Sequence, residues 1–249
     1  MARHSHWAGI KHKKAREDAK RGKVFSRIAK EMTVAARMGG GDPSANITLR
    51  MLIGKAKAVN MPNDNIDRSI KKGTGELEGG QLEECTYEAY APGGVGVIIE
   101  ALTDNKNRAA SEIKNVLTKN GASLAQQGAV SRMFQRKGHI LVDAAKVEEE
   151  KLMELVLEAG AEDMTREDNQ FEILTAPGDY NTVANALSEA EIETVSSEVT
   201  MLPDMPTEVK EKAQAEKLLK FVELLEDLDD VQNVYPAFDI DDAILAELE

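Results

Sequence analysis

The spacing of apolar residues predicts helices over the first third of the chain. From about Gly22, apolar side chains recur at helical spacing on one face. This set comprises Phe25, Ile28, Met32, Ala35 and Ala36. A break at 39–43 separates this helix from a second that runs to about Val59, and a third begins near Pro62 and ends at Gly73. The pattern therefore predicts an N-terminal three-helix bundle.

The loop between the first two helices is glycine-rich and reads Gly39-Gly-Gly-Asp-Pro. Such a loop binds phosphate when a strand precedes it and Gly-Lys-Ser/Thr follows it, and neither condition holds here. We therefore interpret it as an interhelical turn in which glycine tolerates a positive φ. Either Ser44 or Asn46 is expected to cap the second helix.

After residue 80 the apolar pattern changes to short strands that alternate with helices. The expected strands are 86–91, 95–102, 129–135, 139–142, 162–165, 171–175, 192–202 and 231–235, and the expected helices are 107–120, 148–159, 180–189 and 207–228. From residue 139 to residue 202 the order is strand, helix, strand, strand, helix, strand, which is typical of a ferredoxin-like domain. The last helix and strand would complete the sheet that begins at residues 86–135.

The predicted fold class is α+β, with a basic N-terminal three-helix bundle followed by two α+β domains. Residues 1–78 form the basic arm and bundle, and residues 137–203 form the ferredoxin-like domain. Residues 79–136 and 204–249 form a discontinuous domain into which the ferredoxin-like domain is inserted.

Charge is distributed unevenly along the 249 residues, whose net charge is −13. Residues 1–75 contain 17 Lys or Arg and 6 Asp or Glu, whereas residues 76–249 contain the remaining 14 and 38. The net charges are therefore +11 and −24, respectively. A global charge of −13 argues against a nucleic-acid partner, but a segregated basic head indicates a module that binds a polyanion.

The candidate nucleic-acid-binding residues all lie in this basic head. They are Lys11, His12, Lys13, Lys14, Lys20, Arg21, Lys23, Arg27, Lys30, Arg37, Arg50, Lys57, Lys71 and Lys72. We expect residues 4–14 to form an extended arm that follows a phosphate backbone. In the first helix, the basic side chains lie opposite the apolar face, which predicts that they face solvent and phosphates.

A second group of cations is predicted at the turn that precedes helix 107–120. Its sequence, Asp104-Asn-Lys-Asn-Arg108, offers Asp104 as a helix cap and Lys106 and Arg108 as a possible secondary contact. Capping alone accounts for Asp104. These two cations are unusual in an acidic region. They are interpreted either as a contact for nucleic acid or as partners of nearby groups in the same domain.

Residues that carry catalytic chemistry do not form a recognisable pattern. The chain lacks Gly-x-Ser-x-Gly, Gly-x-Gly-x-x-Gly and His-Glu-x-x-His, and Cys85 lies among acids that disfavour a thiolate. The spacing of the three N-terminal histidines does not favour a metal site. Acidic groups at 83–84, 148–150 and 226–230 are interpreted as solvated surface. We therefore expect no enzyme activity, no metal and no cofactor.

The apolar runs are too short to cross a membrane. The longest, 95–102, falls far below the ~20 residues that a spanning helix needs. The N-terminus lacks the apolar core of a signal peptide, and a single cysteine is typical of a reducing compartment. These features predict a cytoplasmic protein with no membrane partner.

Motifs along nearly the whole chain resemble those of the YebC/PmpR family. They include Ile10-Lys-His-Lys-Lys, Gly39-Gly-Gly-Asp-Pro, Asn60-Met-Pro-x-Asp-Asn-Ile, Ile70-Lys-Lys-Gly-Thr-Gly-Glu, Leu102-Thr-Asp-Asn-Lys-Asn-Arg and Asn233-Val-Tyr. The resemblance implies a cytoplasmic, three-domain α+β protein that is usually described as a probable transcriptional regulator that binds DNA. Organellar relatives resemble translational activators, and bacterial members have been linked to ribosome function.

Two functional hypotheses therefore stand side by side. The first is a DNA-binding transcriptional regulator, although the three helices show no clear helix-turn-helix signature. The second is a factor that binds ribosomal or other RNA and acts in translation. A basic arm followed by a strongly acidic remainder, residues 76–249, here called the acidic body, suits this role. In either case the acidic body would orient the molecule or contact basic proteins.

Overall fold

The computed structural model describes residues 21–78, 80–167, 169–240, 244–245 and 247–248. The helices are α1 (Arg21–Gly39), α2 (Ile47–Ala58), α3 (Asn63–Thr74), α4 (Lys106–Lys119), α5 (Glu149–Glu158), α6 (Tyr180–Glu189) and α7 (Lys212–Glu226). The strands are β1 (Glu83–Tyr90), β2 (Gly96–Thr103), β3 (Ser123–Leu124), β4 (Phe134–Asp143), β5 (Ala161–Glu167), β6 (Gln170–Thr175), β7 (Thr194–Pro203), β8 (Thr207–Val209), β9 (Val231–Pro236) and β10 (Phe238–Ile240). Helices and mainly antiparallel sheets confirm the α+β class.

The described residues fall into two compact units. The first, here the helical unit, contains the residues up to Ala125 together with Leu218–Val234. The second, here the βα unit, contains Gln126–Lys217 and the residues from Tyr235 onward. The three-domain division expected from the sequence stays a prediction.

Helices α1, α2 and α3 of the helical unit share one apolar core. Its buried members are Ile28, Met32, Ala35, Ala36, Leu49, Leu52, Ala56, Met61 and Ile66. Both α2 and α3 pack against α1. The buried Asn46 caps α2, because its Oδ1 accepts from the Leu49 backbone N–H at 3.0 Å while its Nδ2 donates to the Ala35 carbonyl at 2.8 Å. One side chain therefore starts α2 and holds it against the end of α1.

Gly73 allows α1 and α3 to approach closely. A Cβ built at this position would lie 2.4 Å from the Thr33 carbonyl oxygen and 2.7 Å from the Ala36 Cβ. Next to this contact, the Thr33 hydroxyl donates to the Ser69 carbonyl at 3.1 Å. The two helix backbones therefore touch where Gly73 has no side chain.

The sheet of the helical unit has the strand order β3-β1-β2-β9. Strands β1 and β2 form an antiparallel hairpin, in which Glu83 is opposite Thr103 and Tyr90 is opposite Gly96. Strand β2 is buried along nearly its whole length, as expected for a central strand. Strand β9 joins this sheet from more than a hundred residues further along the chain, as the sequence predicted for the last strand.

The βα unit contains the succession strand, helix, strand, strand, helix, strand that the sequence predicted. Its sheet has the order β5-β6-β4-β7, and all three pairs of neighbouring strands are antiparallel. Apolar side chains of β4, β5 and β6 form one core with those of α5 and α6. The buried members are Ile140, Val142, Leu152, Val156, Met164, Phe171, Ile173, Val183 and Leu187.

Two of the sequence-based element limits are wrong. The strand expected at 129–135 is instead a 3₁₀ turn at Ser131–Met133, and β4 starts at Phe134 and continues to Asp143. The helix expected at 207–228 starts only at Lys212, because Thr207–Val209 forms the strand β8. This strand pairs in parallel with β10, a distant segment that local spacing cannot reveal.

We predict opposite effects of alanine at two helical glycines. Gly73→Ala should lower the free energy of unfolding by about 1–3 kcal/mol, because the new Cβ meets backbone atoms of α1. Gly54→Ala is the matched control, since nothing lies within 4 Å of its Cβ position in α2. It should raise the free energy of unfolding by about 0.5–1 kcal/mol. Urea denaturation measures both changes, and a stabilising Gly73→Ala would contradict the close approach.

Candidate nucleic-acid interface

The predicted binding residues of the N-terminal arm lie outside the described residues. These are Lys11, His12, Lys13, Lys14 and Lys20, and the side chain of Arg21 also lies outside the description. The structure places the other predicted residues in the helical unit, on α1, α2, α3 and α4. Their surroundings differ from one helix to the next.

Lys23 and Arg27 of α1 contact the acidic segment, residues 226–230, at the C-terminal end of α7. The Nζ of Lys23 lies 3.0 Å from the Asp227 Oδ1 and donates to the Asp227 carbonyl at 2.8 Å. Arg27 donates through Nη2 to the Glu226 carbonyl. Carbonyl groups at the C-terminal end of a helix carry partial negative charge, so both cations interact favourably with the end of α7.

Lys30 is the most extensively bound cation of α1. Its Nζ donates to the Asp230 Oδ1 at 2.9 Å, to the Asp229 carbonyl at 2.8 Å and to the Leu102 carbonyl at 3.2 Å. These three acceptors use all the donors of an ammonium group. Only 22% of the Lys30 side chain remains exposed. Lys30 therefore joins α1 to both β2 and the acidic segment.

Asp230 is the buried anion at the centre of this network, with 3% of its surface exposed. Besides Lys30, its carboxylate accepts from the Thr103 hydroxyl at 2.9 Å and from the Arg108 Nη2 at 2.8 Å and Nε at 3.2 Å. Its backbone carbonyl accepts from the Leu102 N–H at 2.8 Å. One carboxylate therefore connects α1, β2 and α4.

Hydrogen bonding controls the ionisation of this site. Burial by itself would raise the pKa of Asp230, but the hydrogen bonds from Lys30, Arg108 and Thr103 outweigh burial and hold the pKa below its ordinary value. The hydrogen bond to Asp230, followed by the one to Asp104, raises the pKa of Arg108. Asp230 is therefore a permanent anion near neutral pH.

Three expectations from the sequence need correction here. The basic face of α1 was expected to face solvent, but Lys23, Arg27 and Lys30 pack on the acidic segment instead. The acidic group at 226–230 was interpreted as solvated, which is wrong for Asp230, since β2, α1 and α4 bury it. The cap of α4 is Asn105, whose Oδ1 accepts from the Arg108 N–H at 3.1 Å, and not Asp104.

Lys106 and Arg108 form local ion pairs. The Lys106 Nζ lies 2.5 Å from the Glu83 Oε2, which raises the pKa of Lys106 through the hydrogen bond first. Arg108 contacts Asp104 as well as Asp230, at 2.8 Å in each case. Arg37 of α1 is exposed and donates only a long 3.4 Å hydrogen bond to the Leu82 carbonyl. A secondary nucleic-acid contact at Lys106 and Arg108 stays a prediction.

Within the basic head, helices α2 and α3 carry the cations that remain available. Within the described part of the chain these side chains are exposed and have no hydrogen bond or ion pair. They are Arg50, Lys55, Lys57, Arg68, Lys71 and Lys72. Sequence reasoning missed Lys55 and Arg68. For Arg68 the spacing of three and four residues from Lys71 and Lys72 on α3 was a usable signal. Sequence reasoning also missed Asp230, for which no local signal exists.

The described residues offer no alternative site of metal chemistry. No group of three or more His, Cys, Asp or Glu side chains among them is arranged to hold a metal ion. Cys85 is half-buried in β1 and forms no disulfide. In the same part of the chain, no helix has both the length and the apolar character to cross a membrane.

Two family models match the chain in adjacent segments. The model of the TACO1/YebC N-terminal domain matches residues 5–76. The model of the second and third domains of TACO1/YebC proteins matches residues 82–238. The boundary between the matches falls in the segment that joins α3 to β1, where the basic head meets the acidic body.

Curated relatives match along their whole length. A protein of Natranaerobius thermophilus is 54% identical over 98% of this chain and 99% of its own length, and one of Desulfatibacillum aliphaticivorans is 53% identical over 99% and 100%. Both are named "Probable transcriptional regulatory protein". A crystal structure of a conserved hypothetical protein from Aquifex aeolicus is 46% identical, has a TM-score of 0.82 and covers 95% of this chain and 98% of its own.

We predict that Asp230→Asn destabilises the protein in a pH-dependent way. Removing the anion leaves Lys30 without a counter-charge and Arg108 with only the exposed Asp104, which should cost about 2–3 kcal/mol near pH 7, since both cations keep some contact with solvent. The pKa of Asp230 is lowered in the folded protein, so its stabilisation is present above about pH 4 and disappears as pH falls through the folded pKa.

Denaturant titrations of both proteins from pH 7 to pH 3 test this prediction. The difference between wild type and Asp230→Asn should be constant down to about pH 5 and shrink below about pH 4. Asp229→Asn is the control, because its side chain is exposed, and it should change stability by less than about 0.5 kcal/mol. An equal effect of the two substitutions would refute the central role of Asp230.

Proposed function

Because the chain belongs to the TACO1/YebC family, we propose that it is a non-enzymatic regulatory protein that binds nucleic acid through its basic N-terminal region. Its relatives are named probable transcriptional regulatory proteins, which makes DNA the first target to consider. The observation that carries the proposal is the set of exposed, unpaired cations on α2 and α3. The acidic body leaves these cations un-neutralised although it outweighs them in charge.

Helices α2 and α3 supply the main phosphate contacts in this proposal. Cations that have no internal partner lose no ion pair when they bind phosphate, and they release counterions from the nucleic acid. The arm residues Lys11, Lys13, Lys14 and Lys20, with His12 and Arg21, extend this contact along the strand. On α1, phosphates would have to displace Asp227, the Glu226 carbonyl and Asp230, so Lys23, Arg27 and Lys30 contribute less than their sequence pattern suggests.

The acidic body has a complementary role. The net charge of −24 over residues 76–249 repels phosphates, so that the basic head alone faces the nucleic acid. The same charge favours contact with basic proteins. The proposed protein acts in the cytoplasm and requires neither cofactor nor metal.

A second candidate function is an RNA- or ribosome-associated factor that acts in translation. The observation that favours it is that the available cations lie on both α2 and α3. A helix-turn-helix protein reads duplex DNA with a single recognition helix in the major groove. Cations spread over two helices instead fit the irregular phosphate surfaces of folded RNA.

We predict that reversing the charge of four predicted residues weakens binding. Arg50→Glu, Lys57→Glu, Lys71→Glu and Lys72→Glu together should reduce affinity for duplex DNA or structured RNA at least about tenfold at 0.1 M salt. The slope of log affinity against log salt should become shallower by about 3, because up to four phosphate contacts are lost. Fluorescence anisotropy at several salt concentrations measures both quantities.

A matched variant separates the effect of losing the proposed interface from the effect of changing the net charge of the protein. Lys114→Glu, Lys119→Glu, Arg132→Glu and Arg136→Glu make the same charge change at exposed positions outside α2 and α3. This variant should keep most of the affinity and the salt slope of the wild type. Equal losses in the two variants would contradict the proposed interface.

Crosslinking in cells followed by sequencing distinguishes the two candidate targets. Recovery of promoter DNA with the wild-type protein supports the transcriptional role, and recovery of ribosomal RNA supports the translational one. Either signal should fall in the Arg50, Lys57, Lys71 and Lys72 variant. A signal that persists there at wild-type strength would refute the assignment to α2 and α3.

A further inference from the structure

A groove of about 320 Å³ lies between α1 and α3 in the helical unit. Helix α3 lines one wall with Asn65, Arg68 and Lys72, and α1 lines the other with Phe25 and Lys30. The three α3 residues are spaced three and four positions apart, so they share one stripe of the helix surface. The groove therefore combines one aromatic ring with three cations.

The groove owes its shape to the contact between α1 and α3. Thr33 and Ser69 both line it, and the hydrogen bond between them joins the two walls at 3.1 Å. The close approach of Gly73 to the Thr33 carbonyl lies one turn of α3 beyond Ser69. Rigid backbone therefore forms the base of the groove, which favours a defined ligand over general adhesion.

Two of the three cations have no counter-charge in the described structure. Lys30 is neutralised by Asp230, but Arg68 and Lys72 have no hydrogen bond or ion pair to any described residue. Like charges at i and i+4 on a helix repel each other and destabilise it slightly. A bound anion would remove this repulsion, and a guanidinium beside an ammonium is well suited to a phosphate group.

One carboxylate also lines the groove. The Oδ1 of Asp104 accepts a hydrogen bond from Arg108 at 2.8 Å. The Oδ2 of Asp104 lies next to Gly80, since a Cβ built on Gly80 would be 3.3 Å from this oxygen. A carboxylate repels a phosphate but accepts a hydrogen bond from a sugar hydroxyl. The groove therefore offers cations for a phosphate and an acceptor for a ribose in the same small volume.

We propose that this groove binds one ribonucleotide unit of a single RNA strand. Arg68 and Lys72 contact the phosphate, Asp104 accepts from the 2′-hydroxyl, and Phe25 packs against the sugar or base. A volume at the lower end of the ~300–1,000 Å³ range of ligand pockets admits about one nucleotide. The 2′-hydroxyl is the group by which proteins distinguish RNA from DNA. This inference rests on the proposed nucleic-acid-binding function and narrows its ligand.

The first experiment titrates the full chain with single-stranded RNA and DNA of one sequence. Arg68→Gln with Lys72→Gln should reduce RNA affinity about tenfold or more, because two phosphate contacts are lost. Lys114→Gln with Lys119→Gln removes the same charge from exposed positions of α4, outside the groove and outside α2 and α3, and should reduce it much less. Equal losses would overturn the groove. If the wild-type protein bound neither RNA nor DNA, the proposed function itself would be refuted.

The second experiment tests the ribose contact. Asp104→Asn should lower the ratio of RNA to DNA affinity toward one while DNA affinity stays unchanged or rises slightly. Glu84→Gln removes one exposed acid outside the groove and should leave the ratio unchanged. Denaturation of Asp104→Asn checks the fold, which Arg108 still supports through Asp230. An unchanged ratio in Asp104→Asn would overturn the ribose assignment.

Competition identifies the source of the nucleotide. Adenosine 5′-monophosphate and inorganic phosphate are added to the protein–RNA complex at equal ionic strength. We expect neither to displace the RNA strand below millimolar concentration, since neighbouring cations hold the strand as well. Displacement at micromolar nucleotide would overturn the RNA assignment in favour of a free mononucleotide.

Discussion

The buried ion pair between Lys30 and Asp230 is the interaction on which the helical unit depends. Asp230 is enclosed by α1, β2 and α4, and each of these elements donates to its carboxylate. A buried carboxylate without such donors would carry a large desolvation cost, so the three elements are constrained to meet around it. The N-terminal helices and the sheet of the helical unit are thereby held in one arrangement.

This constraint divides the cations of the basic head into two classes. The cations of α1 that contact the acidic segment neutralise charges inside the protein, as Lys23 and Lys30 show at 3.0 and 2.9 Å. Those of α2 and α3 have no such partners in the described structure. In the proposed function a polyanion therefore binds mainly the cations of α2 and α3, and the groove beside Arg68 and Lys72 lies where the two classes meet.

Most of the secondary structure was predictable because its signals are local. The apolar spacing of α1, the break after Gly39 and the capping residue Asn46 all lie within a few turns of the elements that they define. Strand β8 was mistaken for helix because its pairing with β10 joins segments about thirty residues apart. Arg68 was missed because its value as a ligand depends on the wall that α1 places opposite it.

The sequence by itself determined the α+β class, the family and the segregation of charge into a basic head and an acidic body. It could not determine which basic residues remain available, because their partners are distant in the chain. Lys30 and Asp230 are 200 residues apart, and Arg27 and Glu226 are 199 apart. Only tertiary structure brings such groups together. The buried carboxylate of Asp230 requires cationic partners, and the local periodicity of α1 predicted that those cations would face solvent.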